Sequence, residues 1–296
     1  MDPQNSNLDQ SELQKEVEKN KILSLEISRL EQNLVEVNKK LEESESLKSH
    51  FISNICNELV NPFTSVMALA ENILEVDKEN WKKVFTMVAL IHSEVFLMDF
   101  QLKNIFAAAK LEAGELTPDI STVDINGLIE NVIKSFKYAA RHKGLKIEYQ
   151  PENKNANTKI FFNTDPEKLN LILSNLISNS VKFSHPNGNI IVRAVRVFDK
   201  LIIEVQDFGQ GISKENENII FDRFKRIDTG INSLNRGHGL GLSINKAVLD
   251  ILDGAISFTS KLNEGATFIV HIPESKEESS GISTDANELY FKEEKF

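Results

Sequence analysis

The sequence predicts an α+β protein in which an amino-terminal coiled coil and an antiparallel helical hairpin precede helices layered on a sheet. Residues 8–49 lack Gly and Pro and carry a heptad seam. Two amphipathic stretches follow around a short polar turn, and strand-like and helix-like patterns then alternate. The expected domains are a coiled-coil helix over 1–46, the helical hairpin over 47–116, an α/β domain over 117–274 and an acidic tail over 275–296.

The first domain is expected to pair with a second copy of itself. Glu and Lys crowd the positions beside the seam, and the register continues through Phe51 and Ile55 into the hairpin. This pattern favours a parallel dimeric coiled coil, and a single solvated amphipathic helix is the alternative. The seam consists of Leu23, Ile27, Leu30, Leu34, Val37 and Leu41.

Two amphipathic helices are predicted for the hairpin. The first covers residues 50–75 and contains Pro62, which removes one backbone hydrogen bond and bends the helix. The second begins near Trp81 and ends near Leu111, before Gly114. Because one hairpin has too little core, two are expected to close into a four-helix bundle in a homodimer.

The third domain shows separate strand and helix patterns. Asp165 is a predicted N-cap, with Pro166 in the first turn of its helix. Adjacent strand pairs among the helices indicate a helical layer against a sheet. The expected strands are 119–125, 145–151, 158–164, 189–198, 200–208, 255–260 and 266–273, and the expected helices are 126–144, 165–183 and 241–254.

Composition excludes several classes of function. A formal net charge of -10 argues against nucleic acid or an anionic membrane as the main partner, because phosphates would be repelled. Cys56 is the one cysteine, so neither a disulfide within the chain nor a cysteine zinc site is expected. A reducing, cytoplasmic location fits this content. Since no run of about 18 apolar residues occurs, no membrane-spanning segment is expected.

Several motifs in the third domain together predict a magnesium–nucleotide site. In "DFGQGI", Asp207 can accept a hydrogen bond from an exocyclic amine, and its glycines allow close backbone approach. Asn175 and Asn179 share a helical face with Lys182, where amide oxygens suit Mg²⁺ and the lysine suits a phosphate. The motif "GHGLGLSI" places glycines before a helix, whose N–H groups form an anion site. The glycines of these two motifs are Gly209, Gly211, Gly237, Gly239 and Gly241.

The order of these motifs resembles that of sensor histidine kinases of two-component systems. The resemblance covers residues 47–273. Here "ICNELVNP" resembles the H-box, "LSNLISNSVKF" the N-box, "DFGQGI" the G1 box, "FDRFKRID" the F-box, "GHGLGLSI" the G2 box and "GATF" the last glycine box. It implies a dimerisation and phosphotransfer hairpin of the HisKA type, followed by an ATP-binding α/β sandwich of the GHKL type.

The resemblance also implies a role for each residue of the ATP site. Asn179 would ligate Mg²⁺, Asn175 would lie beside the phosphates, and Lys182 would contact a phosphate. Asp207 would hold the adenine amine, and Arg226 would be available to the γ-phosphate. The remaining positions are Gly209 and Gly211 in the base pocket, Phe221 and Phe224 at the lid, and Gly237, Gly239 and Gly241 at the phosphates.

The H-box departs from the family at its phosphoacceptor. Asn57 stands where the family has histidine, and an amide nitrogen is no nucleophile because its lone pair is delocalised. Val60 replaces the usual arginine. His50, one heptad upstream, is most simply a solvated residue. Glu58 and Asn61 retain the acid-x-x-Thr/Asn pattern, which in this family positions water for attack on an aspartyl phosphate, and which active kinases also carry.

The expected function is therefore a histidine-kinase-like homodimer that binds ATP and Mg²⁺ without phosphorylating itself at position 57. Such a pseudokinase would regulate a response regulator or another histidine kinase. A response-regulator phosphatase using Glu58 and Asn61 is one alternative. A non-catalytic scaffold is a second, and an engineered acceptor variant of an active kinase is a third.

Overall fold

The structure is a computed structural model that describes residues 3–77, 80–151, 159–222, 239–276 and 282–283. A single helix, α1 (Pro3–Leu74), replaces the two consecutive helices expected from the coiled coil and the hairpin. This continuity follows from the unbroken heptad register. Pro62 lies inside α1 and is buried.

The chain divides into two compact units, Met1–Asn54 and Ile55–Phe296. In the first unit, the described residues of the apolar seam are exposed to about half or more of their surface, from 49% at Leu23 to 62% at Leu30. An exposed heptad seam is the surface that a coiled coil buries. The coiled coil and the four-helix bundle both stay predictions.

The second helix, α2 (Trp81–Ala113), ends where the sequence predicts. Gly114 adopts a left-handed φ of 69° and donates its N–H to the carbonyl of Leu111. Within the described residues, α2 is the one helix long and apolar enough to cross a membrane by length and composition. Core helices of water-soluble proteins meet the same criterion, so the expected absence of a spanning segment is not tested by it.

The α/β part contains four helices and two sheets among its described residues. The larger sheet has the order β2-β4-β5-β7-β6, in which β2 and β4 are parallel and the other neighbours are antiparallel. The smaller sheet has the order β3-β1-β8. The helices are α3 (Ile125–Ser135), α4 (Lys137–His142), α5 (Pro166–Phe183) and α6 (Gly241–Ile251). The strands are β1 (Ser121–Asp124), β2 (Lys146–Pro151), β3 (Phe161–Thr164), β4 (Asn189–Val197), β5 (Lys200–Asp207), β6 (Ala255–Lys261), β7 (Gly265–Pro273) and β8 (Ile282–Ser283).

The core lies between the larger sheet and α3, α5 and α6. Alternate residues of β4, β5 and β7 are buried, as expected for strands with one face against helices. The helices contribute fully buried side chains such as Ile129, Leu173 and Val248. Helices on one face of a sheet agree with the predicted sandwich.

One further prediction about secondary structure is wrong. The single helix expected over 126–144 is interrupted at Phe136, whose ring is buried and makes edge contacts with the rings of Phe96 and Phe100 on α2. The break therefore coincides with packing against α2, which a local pattern does not contain. Ile282–Ser283, inside the expected acidic tail, pairs in parallel with β1.

A buried ion pair holds the start of α5 to the segment that follows α2. Asp165 caps α5 by accepting from the Lys168 N–H, as predicted. Its other oxygen accepts from Lys168 Nζ at 2.6 Å and from the Asp119 N–H at 2.8 Å. Lys168 Nζ also donates to the carbonyl of Thr117 at 2.6 Å. These bonds fix the entry to the α/β part against α5.

Lys168→Met should destabilise the protein by about 3–5 kcal/mol, because it leaves the Asp165 carboxylate buried without its cation. Lys146→Met is the matched control: Lys146 is 72% exposed in its pair with Glu148, so a change below about 1 kcal/mol is expected. Urea unfolding at neutral pH measures both. Equal unfolding midpoints for the two variants would contradict a stabilising role of the buried Asp165–Lys168 pair.

Candidate functional site

Asp207 stands at the end of β5 as a buried carboxylate. It is 5% exposed, and its Oδ1 accepts from the N–H of Gly209 at 3.1 Å and of Ala266 at 3.3 Å. Burial raises the pKa of Asp207 to about 6, against the lowering effect of these two hydrogen bonds. A carboxylate held this way is available as an acceptor for an amine of a ligand.

Three glycines allow backbone segments to meet around Asp207. A Cβ on Gly209 would lie 2.1 Å from the carbonyl oxygen of Phe183, and one on Gly211 would lie 2.1 Å from that of Lys261. Gly265, with a φ of 100°, would meet the carbonyl oxygen of Asp207 itself at 2.1 Å. Gly209 and Gly211 were expected to allow close approach of a ligand. What the structure shows at both positions is close approach of the protein's own backbone.

The asparagines of α5 have different surroundings. Asn175 is 3% exposed and donates through Nδ2 to Asn245 Oδ1 on α6 at 2.9 Å, while Asn245 donates to the carbonyl of Ile172. Asn175 Oδ1 also lies 3.0 Å from where a Cβ on Gly241 would be. Asn175 therefore joins α5 to the start of α6, a contact that the sequence does not suggest.

The other two polar residues of this helical face are accessible. Asn179 lies one turn beyond Asn175 and is half-buried, and Lys182 is half-buried near the carboxy-terminal end of α5. Lys182 Nζ lies 5.0 Å from the centre of the Phe183 ring. The amide oxygen of Asn179 is a ligand suited to a cation, and the ammonium group of Lys182 is a donor suited to an anion.

Part of the G2 box forms the amino-terminal end of α6. Gly239 has a φ of 68°, Leu240 is buried, and the helix proper begins at Gly241. The first N–H groups of a helix lack partners within the helix and attract anions. Phe221 packs edge-on against Phe258. Phe224, Arg226 and Gly237 lie outside the described residues.

The H-box lies in α1, where the backbone of Asn57 and Glu58 is helical and their side chains lie outside the described residues. Asn61 is exposed, and its carbonyl accepts from Ser65 Oγ at 3.1 Å. No group of three or more His, Cys, Asp or Glu that could bind a metal ion occurs in the described part of the chain. An amide-based magnesium site is unaffected by that finding.

Residues 164–276 match the family of histidine kinase-, DNA gyrase B- and HSP90-like ATPases. Over these residues the chain carries an ATPase domain of this type. An ATPase domain of this kind implies nucleotide binding, and Asp207, Gly209, Gly211 and Gly265 all lie within the matched residues. Sequence reasoning missed Gly265 and Ala266 as site residues, although the "GATF" motif contains both.

Curated relatives include a histidine kinase and a sensor protein. The circadian input-output histidine kinase CikA of Synechococcus elongatus is 26% identical over 82% of this chain and 32% of its own length. The sensor protein RprX of Bacteroides fragilis is 30% identical over 79% of this chain and 44% of its own length. The chain thus spans less than half of the length of either protein.

A solved structure supports the fold. Full-length ShkA in complex with AMPPNP superposes with a TM-score of 0.52 and 24% identity, covering 78% of this chain and 46% of that one. At this identity the likeness concerns the fold alone.

Nucleotide binding at Asp207 should weaken as the pH falls below 6. The raised pKa means that Asp207 is ionised above about 6 and protonated below it, and only the ionised oxygen accepts freely from an adenine amine. Affinity for ATP should be constant from pH 7 to 8 and about tenfold lower one unit below the pKa. Calorimetry across this range measures the profile. In Asp207→Asn the affinity should be low at every pH. If this variant kept the pH profile of the unaltered chain, Asp207 would not be the acceptor for the adenine amine.

Proposed function

We propose that the chain is a homodimeric, histidine-kinase-like pseudokinase that binds Mg-ATP and does not phosphorylate itself at position 57. It acts in two-component signalling by engaging a response regulator or another histidine kinase. The observation that carries the proposal is the combination of a buried Asp207 carboxylate, aligned by two backbone N–H groups, with an amide at the acceptor position.

The described residues fit a nucleotide. Asp207 is buried and already aligned by two backbone N–H groups, so it needs little reorganisation to accept from the adenine amine. Asn179 would ligate Mg²⁺ and Lys182 would contact a phosphate. The N–H groups at the start of α6, near Gly239 and Gly241, would meet the remaining phosphate charge. The acidic net charge does not oppose this, because these groups supply a local positive field.

The acceptor position lacks the chemistry that autophosphorylation requires. A neutral imidazole offers a free nitrogen lone pair, whereas the amide nitrogen of Asn57 is only a donor. The rest of the site does not depend on residue 57. Binding and hydrolysis of ATP are therefore separable from phosphotransfer to α1, and a regulatory role rests on binding and dimerisation alone.

Labelled ATP distinguishes a pseudokinase from an active kinase. The chain as it stands should acquire no acid-labile, base-stable phosphate in the presence of Mg²⁺, because Asn57 cannot form the N–P bond. Asn57→His should acquire such label, and Asn57→His combined with Asp207→Asn should lose it again. Acid-labile label on the unaltered chain would contradict the proposal.

The exposed side chain of Asn61 favours phosphatase activity as a second candidate. Its amide could position water for attack on a regulator's aspartyl phosphate, with Glu58 one turn before it on α1. This activity would need no histidine at position 57.

For this second function, the chain should shorten the lifetime of phosphorylated receiver domains that had been charged with acetyl phosphate. Asn61→Ala should remove the effect, since an alanine cannot orient water. Ser65→Ala is the matched control, because its hydroxyl donates only to the carbonyl of Asn61 in α1. Equal lifetimes with and without the unaltered chain, across a panel of receiver domains, would exclude the phosphatase.

A further inference from the structure

Lys143 binds the end of α5 with its ammonium group. It follows α4, and its Nζ donates to the carbonyl of Lys182 at 2.5 Å and to that of Val181 at 3.1 Å. The last carbonyls of a helix have no partner within the helix. Here the remaining two are also satisfied, since Ser180 accepts from Ser184 N–H and Phe183 accepts from Gln210 N–H.

The same residue also holds the chain beyond α5. The carbonyl of Lys143 accepts from the Asn187 N–H at 3.1 Å, so its backbone and its side chain contact opposite ends of the segment 181–187. A Cβ on the neighbouring Gly144 would lie 2.2 Å from Asn187 Oδ1, which shows how closely these segments pack. The end of α5 is thereby fixed from two sides.

The end of α5 also contacts the backbone that aligns Asp207. Ser184 forms an antiparallel bridge with Gly209, and the Gln210 N–H donates to the carbonyl of Phe183 at 3.2 Å. Gly209 in turn donates to the Asp207 carboxylate. Displacement of the last turn of α5 would therefore displace both Lys182 and the backbone that aligns Asp207.

We propose that Lys143 is a positioning residue for the nucleotide, which it affects by fixing the α5 end that carries Lys182 and abuts Gly209. This inference rests on the proposed nucleotide site. Charge adds to the geometric effect, because a helix carboxy terminus bears partial negative charge that would oppose phosphates. The ammonium of Lys143 neutralises that charge where Lys182 must meet a phosphate. Partial burial lowers the pKa of Lys143 from its ordinary value of 10.5.

A double-mutant cycle tests the role of Lys143. Lys143→Met should weaken Mg-ATP binding about tenfold, because the end of α5 that carries Lys182 is then no longer held in the geometry that binds a phosphate. In a Lys182→Met background the same change should cost less, about threefold, because only the alignment of Asp207 through Gly209 is then left for Lys143 to position. Lys143→Arg, which keeps charge and donors, should recover most of the affinity. Isothermal calorimetry with Mg-ATP measures all four affinities of the cycle and that of Lys143→Arg.

Two controls separate this inference from the nucleotide site itself. Lys146→Met changes a neighbouring exposed lysine on β2 and should leave affinity unchanged. If the unaltered chain and Lys146→Met bind Mg-ATP while the losses at Lys143 and Lys182 simply add, the positioning role is wrong and the nucleotide site stands. Absence of binding by the unaltered chain would overturn both. If Lys143→Met does not fold, Lys143→Gln, which keeps a donor without the charge, replaces it with the same expectations.

Discussion

The close contact between Gly209 and the carbonyl of Phe183 is the constraint on which the surroundings of Asp207 depend. It brings the G1 box against the end of α5, so that Gln210 and Ser184 can bond across the contact. Asp207 is then held by backbone groups from both sides, Gly209 on its own loop and Ala266 on β7. A methyl group at position 209 would meet a backbone atom, which cannot move aside as a flexible side chain can. The buried carboxylate and its raised pKa both follow from this packing.

Helix α5 connects this contact to the rest of the α/β part. At its first turn, the Asp165–Lys168 pair joins α5 to the segment after α2. At its last turn, Lys143 donates to the carbonyls of Val181 and Lys182. Between them, Asn175 bonds across to Asn245 on α6. Lys168 thus fixes the first turn of α5 beside a buried carboxylate, and Lys143 fixes the last turn through main-chain carbonyls. The polar contacts are directional, so they set the rotation and height of α5, which apolar packing alone fixes less strictly.

Local features were predictable from the sequence, and partners distant in the chain were not. The Asp165 N-cap and the Gly114 helix end depend on a few neighbouring residues, and both are where the pattern places them. The break at Phe136 coincides with packing against aromatic rings of α2, some forty residues earlier in the chain. In the site, the motifs identify Asp207 and its glycines because they are contiguous. Lys143 carries no motif, since its partners are main-chain carbonyls that any sequence would provide.

The reaction proposed to be absent at position 57 and the nucleotide binding proposed at Asp207 have different physical requirements. Phosphotransfer requires a nucleophilic lone pair on a side chain, so a single change to an amide removes it. The proposed nucleotide site instead depends on backbone approach and on helix ends, which are set by glycines and by packing over the α/β part. Nucleotide binding can still regulate a partner, provided that it favours one conformation of the protein over another.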